Sequence, residues 1–209
     1  MSGVSDVNKK IARHIASKFG GSPKVTRYWS DDQAISVDLL AAAGSPCSGV
    51  MSYGTIGLSD HPVRINDDGD EVCVELLGAC ADAVKNFPNA LTTAAFYTIR
   101  NQWHCVHGGV LQNALDMYKL SVTMKHFLFT SPFLWEGFNG VDFDDKKVHW
   151  LLAVPALTTL GMCAAPQAPV TSLSKHRIPI DIEDIDLAVF KSAFQRIKTM
   201  VPQIGMLSI

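Results

Sequence analysis

The densest group of potentially reactive side chains is the tripeptide Ser59-Asp60-His61, which lies in the stretch GVMSYGTIGLSDHPV from Gly49 to Val63. A serine, an acid and an imidazole are the parts of a nucleophilic hydrolase, but that chemistry needs them in serial hydrogen-bond contact. Along an extended chain the side chains alternate, so Ser59 and His61 point one way and Asp60 the other. The flanking residues also lack the G-x-S-x-G turn that presents a nucleophilic serine. Gly54 and Gly57 spell neither G-x-G-x-x-G nor a P-loop with its lysine and hydroxyl, so no phosphate cradle is indicated. The segment is expected to be a polar turn, a cap or a contact surface, and no catalytic residue is assigned to it.

Two further groups have chemical potential. His104, Cys105 and His107 stand close together between Trp103 and Gly109. Structural zinc needs four ligands in paired blocks, and no second block follows at a suitable spacing, so an ordinary loop without metal or cofactor is expected. Glu75 sits in EVCVELL, a run from Glu71 to Leu77 that is apolar on both faces except at that position. Such a strand belongs at the centre of a sheet. A carboxyl there must be paired or have its pKa raised, since an isolated buried charge is very costly. Partnering with an arginine or a backbone group is favoured over a role as an active-site acid.

These groups are carried by a regular succession of elements. Asp6 is expected to cap an amphipathic helix with Val7, Ile11, Ile15 and Phe19 along one stripe, stopped at Gly20 and Gly21. KVTRYW at 24–29 and AISVDLL at 34–40 read as a hairpin around Ser30-Asp31-Asp32-Gln33, with Ile35, Val37 and Leu39 on one face. The stretch from Gly49 supplies a third strand, and its glycines mark a bulge, a bend or the close approach of another chain segment. Asn66 to Gly69 reads as a turn, and 82–86 as either a loop or a short helix. Pro88 and Asn89 open a second helix, with Leu91, Ala94, Ala95 and Thr98 on the side that covers the sheet. No regular element is assigned to 108–120. MKHFLFT at 124–130 and VHWLLAVP at 148–155 are strands. Residues 156–177 read as a connector, and Leu187, Phe190, Phe194, Ile197 and Val201 repeat as a helix that Pro202 ends. The expected fold class is therefore α/β, one domain over 1–155 with a central mixed sheet flanked by helices. Residues 156–209 are expected to form an appendage that packs on that domain or on a second copy in a homodimer.

Five blocks in register carry a family resemblance: SYGTIGLSDHP at 52–62, VELLGAC at 74–80, FPNALTTAAFYTI at 87–99, MKHFLFTSPFLWE at 124–136 and VHWLLAVP at 148–155. Together, over about residues 8 to 155, the chain resembles the bacterial suppressor of fused-like family. The resemblance implies an α/β domain similar to the amino-terminal half of the eukaryotic suppressor of fused protein, which holds a transcription factor by direct contact. It also implies an immunity protein, or antitoxin, that neutralises a toxin encoded beside it. The connector at 156–177 departs from the polar helix of relatives, which leaves any family contact through that region open.

Composition bounds the alternatives. With 18 basic and 20 acidic residues and a net charge of −2, the chain offers no clustered positive field, so nucleic acid is not an expected ligand. Five cysteines without regular spacing suit a reducing cytosol. The opening MSGVSDVNKK has no apolar core for a signal peptide, and Trp150–Leu157 falls short of the ~20 residues that cross a bilayer. A soluble cytoplasmic protein is expected. Three functions then compete. The first is a binding module that occludes a cognate toxin, such as a nuclease, through Tyr28, Trp29, Asp31, Asp32, Asp60, His61, Trp135 and Glu136. These are turn-proximal positions where packing alone explains a polar or aromatic side chain poorly. The second is a hydrolase or transferase using Asp60 and His61 with Glu75 or His104. The third is a scaffold that takes an extended endogenous peptide at a sheet edge.

Overall fold

The computed structural model describes residues 4–64, 71–103, 105–144 and 146–157. The turn expected at Asn66–Gly69, His104, and the connector and terminal helix expected beyond residue 157 lie outside the described residues.

The chain begins with helix α1, Asp6–Phe19, whose Ile11, Ile15 and Phe19 recur every fourth residue and are all buried. The amino-terminal cap is Ser5, one residue earlier than expected, with its hydroxyl accepting from the Asn8 N–H at 3.1 Å. Asp6 is instead the first helical residue, and its carboxylate holds Lys9 at 2.8 Å. Strands β1, Lys24–Trp29, and β2, Ser36–Ala43, pair antiparallel, from Lys24 opposite Ala41 to Trp29 opposite Ser36. The second strand starts two residues later than the sequence suggests because Ala34 and Ile35 belong to the turn. The Ala34 N–H goes to the Asp32 carboxylate and the Ile35 carbonyl takes the Ser30 N–H.

Strand β3, Val50–Ile56, follows β2, and after a short β4, Val63–Arg64, comes β5, Glu71–Ala81. Residues 82–86 form turns leading into α2, Phe87–Asn101. The region left without an assignment at 108–120 contains a two-residue strand β6, Val110–Leu111, and a 3-10 turn, Asp116–Tyr118. Strand β7, Met124–Thr130, a short β8, Val141–Phe143, and the long β9, Lys146–Leu157, complete the described elements. The sheet order is β1-β2-β3-β5-β9-β7-β6, with β4 on β5 and β8 on β9. The neighbouring pairs are antiparallel except β5 and β9, which run parallel from Cys73 opposite Val148 to Leu77 opposite Leu152. The sheet is thus mixed, with β5 at its centre, as the apolar run around Glu75 predicts.

Alternation along the strands sends successive residues to opposite faces. Val37, Leu39, Tyr53, Leu76, Phe127 and Phe129 meet Phe87, Leu91, Ala94 and Ala95 of α2 in one core. Leu40, Ala42, Ile56, Leu77, Trp150 and Leu152 meet Ile11, Ile15 and Phe19 of α1 in the other. The architecture is α/β, a mixed sheet with a helix on each face. Two glycines let the helices close on it. A Cβ at Gly54 would sit 2.9 Å from Ile15 Cγ2, and one at Gly78 would sit 2.7 Å from Phe87 Cε1.

Because the Phe87 ring is fully enclosed and cannot withdraw, Gly78→Ala should destabilise the fold by about 1–3 kcal/mol. A urea unfolding curve with a lowered midpoint and an unchanged slope checks this, and an unchanged midpoint would refute it.

Candidate functional site

The polar centre of the molecule is Glu75, which is wholly buried on the α1 face of the sheet. Its Oε1 accepts from the Gly57 N–H at 2.9 Å, the Ser59 N–H at 3.1 Å and the Ser59 hydroxyl at 2.7 Å. Its Oε2 lies 2.6 Å from Thr55 Oγ1. That threonine oxygen also accepts the Leu76 N–H at 2.7 Å, standing in for a main-chain carbonyl just past the last paired residues of β3 and β5, Gly54 and Leu77. Of the two alternatives expected, an arginine or a backbone group, the second is found. Backbone N–H groups and hydroxyls satisfy Glu75, and no arginine touches it among the described residues. Burial pushes the carboxyl above its ordinary value of 4.5, while the four donors pull the other way.

The chain around Ser59 reaches this carboxyl because it is not a strand. After Ile56, Gly57 adopts a left-handed φ of 98° and Leu58–Asp60 form a 3-10 turn. Ser59 points inward to Glu75. Asp60 points outward, taking Lys146 Nζ at 2.6 Å on one oxygen and Asn8 Nδ2 at 2.6 Å on the other. Lys146 also donates to Ser59 Oγ at 3.1 Å. A continuous chain of polar contacts therefore runs from β5 through the turn to β9 and α1. Ser59, Asp60 and His61 are separated by this winding, rather than by strand alternation, and the partners of Ser59 Oγ are Glu75 and Lys146.

The sequence-derived candidates fall into separate places. Asp60 and His61 border a polar hollow of about 360 Å³ with Asn8, Arg27 and Asp38. There Arg27 grips Asp38 with two bonds, of 2.7 and 2.9 Å. Tyr28, Trp29 and Asp31 line a different cleft, of about 420 Å³, between the β1–β2 turn and α2. Asp32 lies beside it and organises the turn. It accepts from Ser30 Oγ at 2.6 Å and from the Ala34 N–H, and it pairs with Arg100 near the end of α2. The Ser30 and Ala34 hydrogen bonds, with Arg100, hold its carboxyl below the usual value. Trp135 is a correction. It is only 8% exposed, its ring centroid lies 4.7 Å from that of Phe19, and its indole N–H donates to Ser45 Oγ at 3.2 Å. The chain leaving β7 folds back over the end of α1, which draws this ring into the core and away from a contact surface. Glu136, next to it, is exposed.

Residues that sequence reasoning passed over complete the cleft. Tyr97, Arg100 and Met117 line it, with Tyr97 43% and Met117 66% exposed. Tyr97 and Arg100 stand three apart on the solvent side of α2, a spacing that the search for apolar periodicity ignores. Among the described residues no three His, Cys, Asp or Glu side chains gather as a metal site. Cys105 is buried, which pushes its thiol up to about 12, and His107 Nε2 sits 3.2 Å from Thr130 Oγ1. No helix among the described residues is long and apolar enough to cross a membrane.

Comparison with known proteins adds three findings. The family model of the suppressor of fused protein (SUFU) matches residues 33–174. The sequence is 40% identical over 154 residues to Immunity protein YqcF of Bacillus subtilis (strain 168), spanning 73% of this chain and 80% of that protein. A crystal structure of a putative SUFU homolog from Neisseria gonorrhoeae FA 1090 superposes with a TM-score of 0.50 at 12% identity, over 72% of this chain and 78% of that one. The last is a likeness of fold.

The Glu75 contacts make two outcomes measurable. Glu75→Ala strands four donors and should cost about 3 kcal/mol or more. Glu75→Gln should cost much less, because its carbonyl keeps the three Oε1 donors and only the Thr55 contact has to reverse, the amide, like a protonated carboxyl, donating where the carboxylate accepts. A raised folded-state pKa means that the folded chain holds this proton where the unfolded chain has released it. The stabilisation is complete below the unfolded value near 4.5 and is lost as pH rises through the folded value. Unfolding free energies measured across that range should therefore show wild type losing ground to Glu75→Gln as pH rises, and a constant difference would refute the assignment.

Proposed function

This chain belongs to the suppressor of fused family, and from that premise we propose that it is an immunity protein that silences a cognate bacterial toxin by binding it directly. The observation that carries the reading is the 40% identity with Immunity protein YqcF across four-fifths of that protein's length. Masking a toxin of ordinary size takes an interface of roughly 1,200–2,000 Å² with aromatic anchors at its centre. Rigid display of the turn-borne side chains suits that task. The β1–β2 turn is fixed by its own hydrogen bonds and by Arg100, and the Leu58–Asp60 turn is fixed by Glu75 and Lys146.

Of the sequence-derived positions, Trp29, Asp31 and Glu136 are exposed to a partner, Tyr28 and His61 are half-buried, and Asp60 is exposed but engaged by Asn8 and Lys146. A toxin that acts on nucleic acid carries a basic surface, and the exposed carboxylates of Asp31 and Glu136 are of the sign that complements it. A cytoplasmic place of action fits the unpaired thiols of Cys47, Cys73, Cys80 and Cys105.

The reading is tested by co-expressing the toxin gene that neighbours this one and by titrating the purified full chain into the toxin's activity assay. Protection in cells and complete inhibition at one equivalent are expected, with a complex whose mass reports the number of chains. His61→Ala should weaken binding by about tenfold at most, since one residue of a broad interface carries a share of the energy. Silencing at far below one equivalent, together with total loss in His61→Ala, would point to turnover and overturn the proposal.

A further inference from the structure

We infer that the cleft between the β1–β2 turn and α2 receives an arginine side chain presented by a loop of the toxin. The inference rests on the immunity reading and adds the chemistry by which the partner is held. Three exposed apolar groups frame the cleft: Trp29, 54% exposed, Tyr97 and Met117. Tryptophan and tyrosine in this setting are the residue types that anchor interfaces, and both present an aromatic face to a planar cation. An apolar partner group would be sufficient for those surfaces taken alone. The charges decide against it.

Two acids and one base stand at the turn. Arg100 is committed to Asp32, whose carboxylate is also held by Ser30 and Ala34. Asp31, which lines the cleft, has no hydrogen bond or ion pair among the described residues. The cleft therefore keeps one uncompensated negative charge beside two aromatic faces. An apolar side chain seated there would strip water from Asp31 and return nothing, a cost of the kind that excludes wrong partners. A guanidinium satisfies both features. Its fork meets the carboxylate and its flat face lies on an indole, which a lysine ammonium cannot do together. The receptor is also pre-set. The Arg100–Asp32 pair fixes the turn against α2, and Tyr118 Oη bonded to Thr93 Oγ1 at 2.6 Å fixes the adjoining wall. Little ordering cost falls on binding.

The first arm of the test needs no identified toxin. The full chain, labelled at its tryptophan indoles, is titrated with N-acetyl-arginine methylamide and with the citrulline counterpart, a neutral isostere. A saturable shift of the Trp29 indole with the arginine compound alone, abolished in Asp31→Asn, is expected. No saturable shift, or an equal shift with citrulline, overturns the inference, as does self-association of the chain that Trp29→Ala abolishes. The second arm uses the neighbouring toxin. Asp31→Lys should weaken binding about tenfold or more through like-charge contact, while Asp142→Lys, exposed on β8, should not. Wild-type protection that Asp31→Lys retains in full defeats the cleft and leaves the immunity reading standing. A wild-type chain that fails to protect defeats the immunity reading, and the arginine titration still decides the cleft.

Discussion

The structure turns on a carboxyl group placed where water cannot reach it. Glu75 lies on the central strand, and leaving it unsatisfied would cost a large part of the stability of a domain this size. The chain meets that demand by bending. Gly57 takes a backbone conformation open mainly to glycine, the strand after Ile56 winds into a 3-10 turn, and two N–H groups that a strand would have sent to a neighbour converge on one oxygen. Everything on that side follows from the bend. Ser59 is consumed inside, Asp60 is thrown outward toward Lys146 and Asn8, and α1 is tethered by its first turn. A buried polar group satisfied this fully specifies one arrangement of its surroundings more sharply than an apolar side chain of the same volume.

Much of this was legible in the sequence. The alternation of Val37, Leu39 and Tyr53, and the stripe of Ile11, Ile15 and Phe19, name the strands, the first helix and the faces they bury. The unbroken apolar run around Glu75 places that strand at the centre. The identity of the Glu75 donors was not legible, because Thr55, Gly57 and Ser59 lie 16 to 20 residues away in sequence. They reach it only through a turn type that the short run of Leu58, Ser59 and Asp60 does not advertise. Trp135 shows the opposite failure. A large aromatic just beyond a strand end fits a core site and a contact site equally well, and only the return of the chain over Phe19 decides between them.

The cleft shows a similar division. Its hairpin half was visible as Tyr28, Trp29 and Asp31 next to turn-forming residues. Its helical half was not, because Tyr97 and Arg100 face away from the apolar stripe that identifies α2. An ion pair between partly exposed side chains, Asp32 and Arg100, links the halves, beside the packing of Tyr28 on the core that α2 shares. Such pairs add little to stability. Here the pair matters for position, because it fixes how far the turn stands from the helix.

The parallel pairing of β5 with β9 bears on the order in which the chain can be assembled. Cys73 and Val148 are neighbours in the sheet although they stand 75 positions apart in sequence, whereas β1, β2 and β3 join through short connections. As the polypeptide leaves the ribosome, the leading meander can form and receive β5 while one flank of β5 still waits for its mate. Lys146, which reaches both Ser59 and Asp60, arrives with that same late strand. Until residues 146–152 have been made, that flank of β5 has no partner for its backbone N–H and C=O groups, an unpaired edge at the middle of the sheet of the kind that other chains can add to.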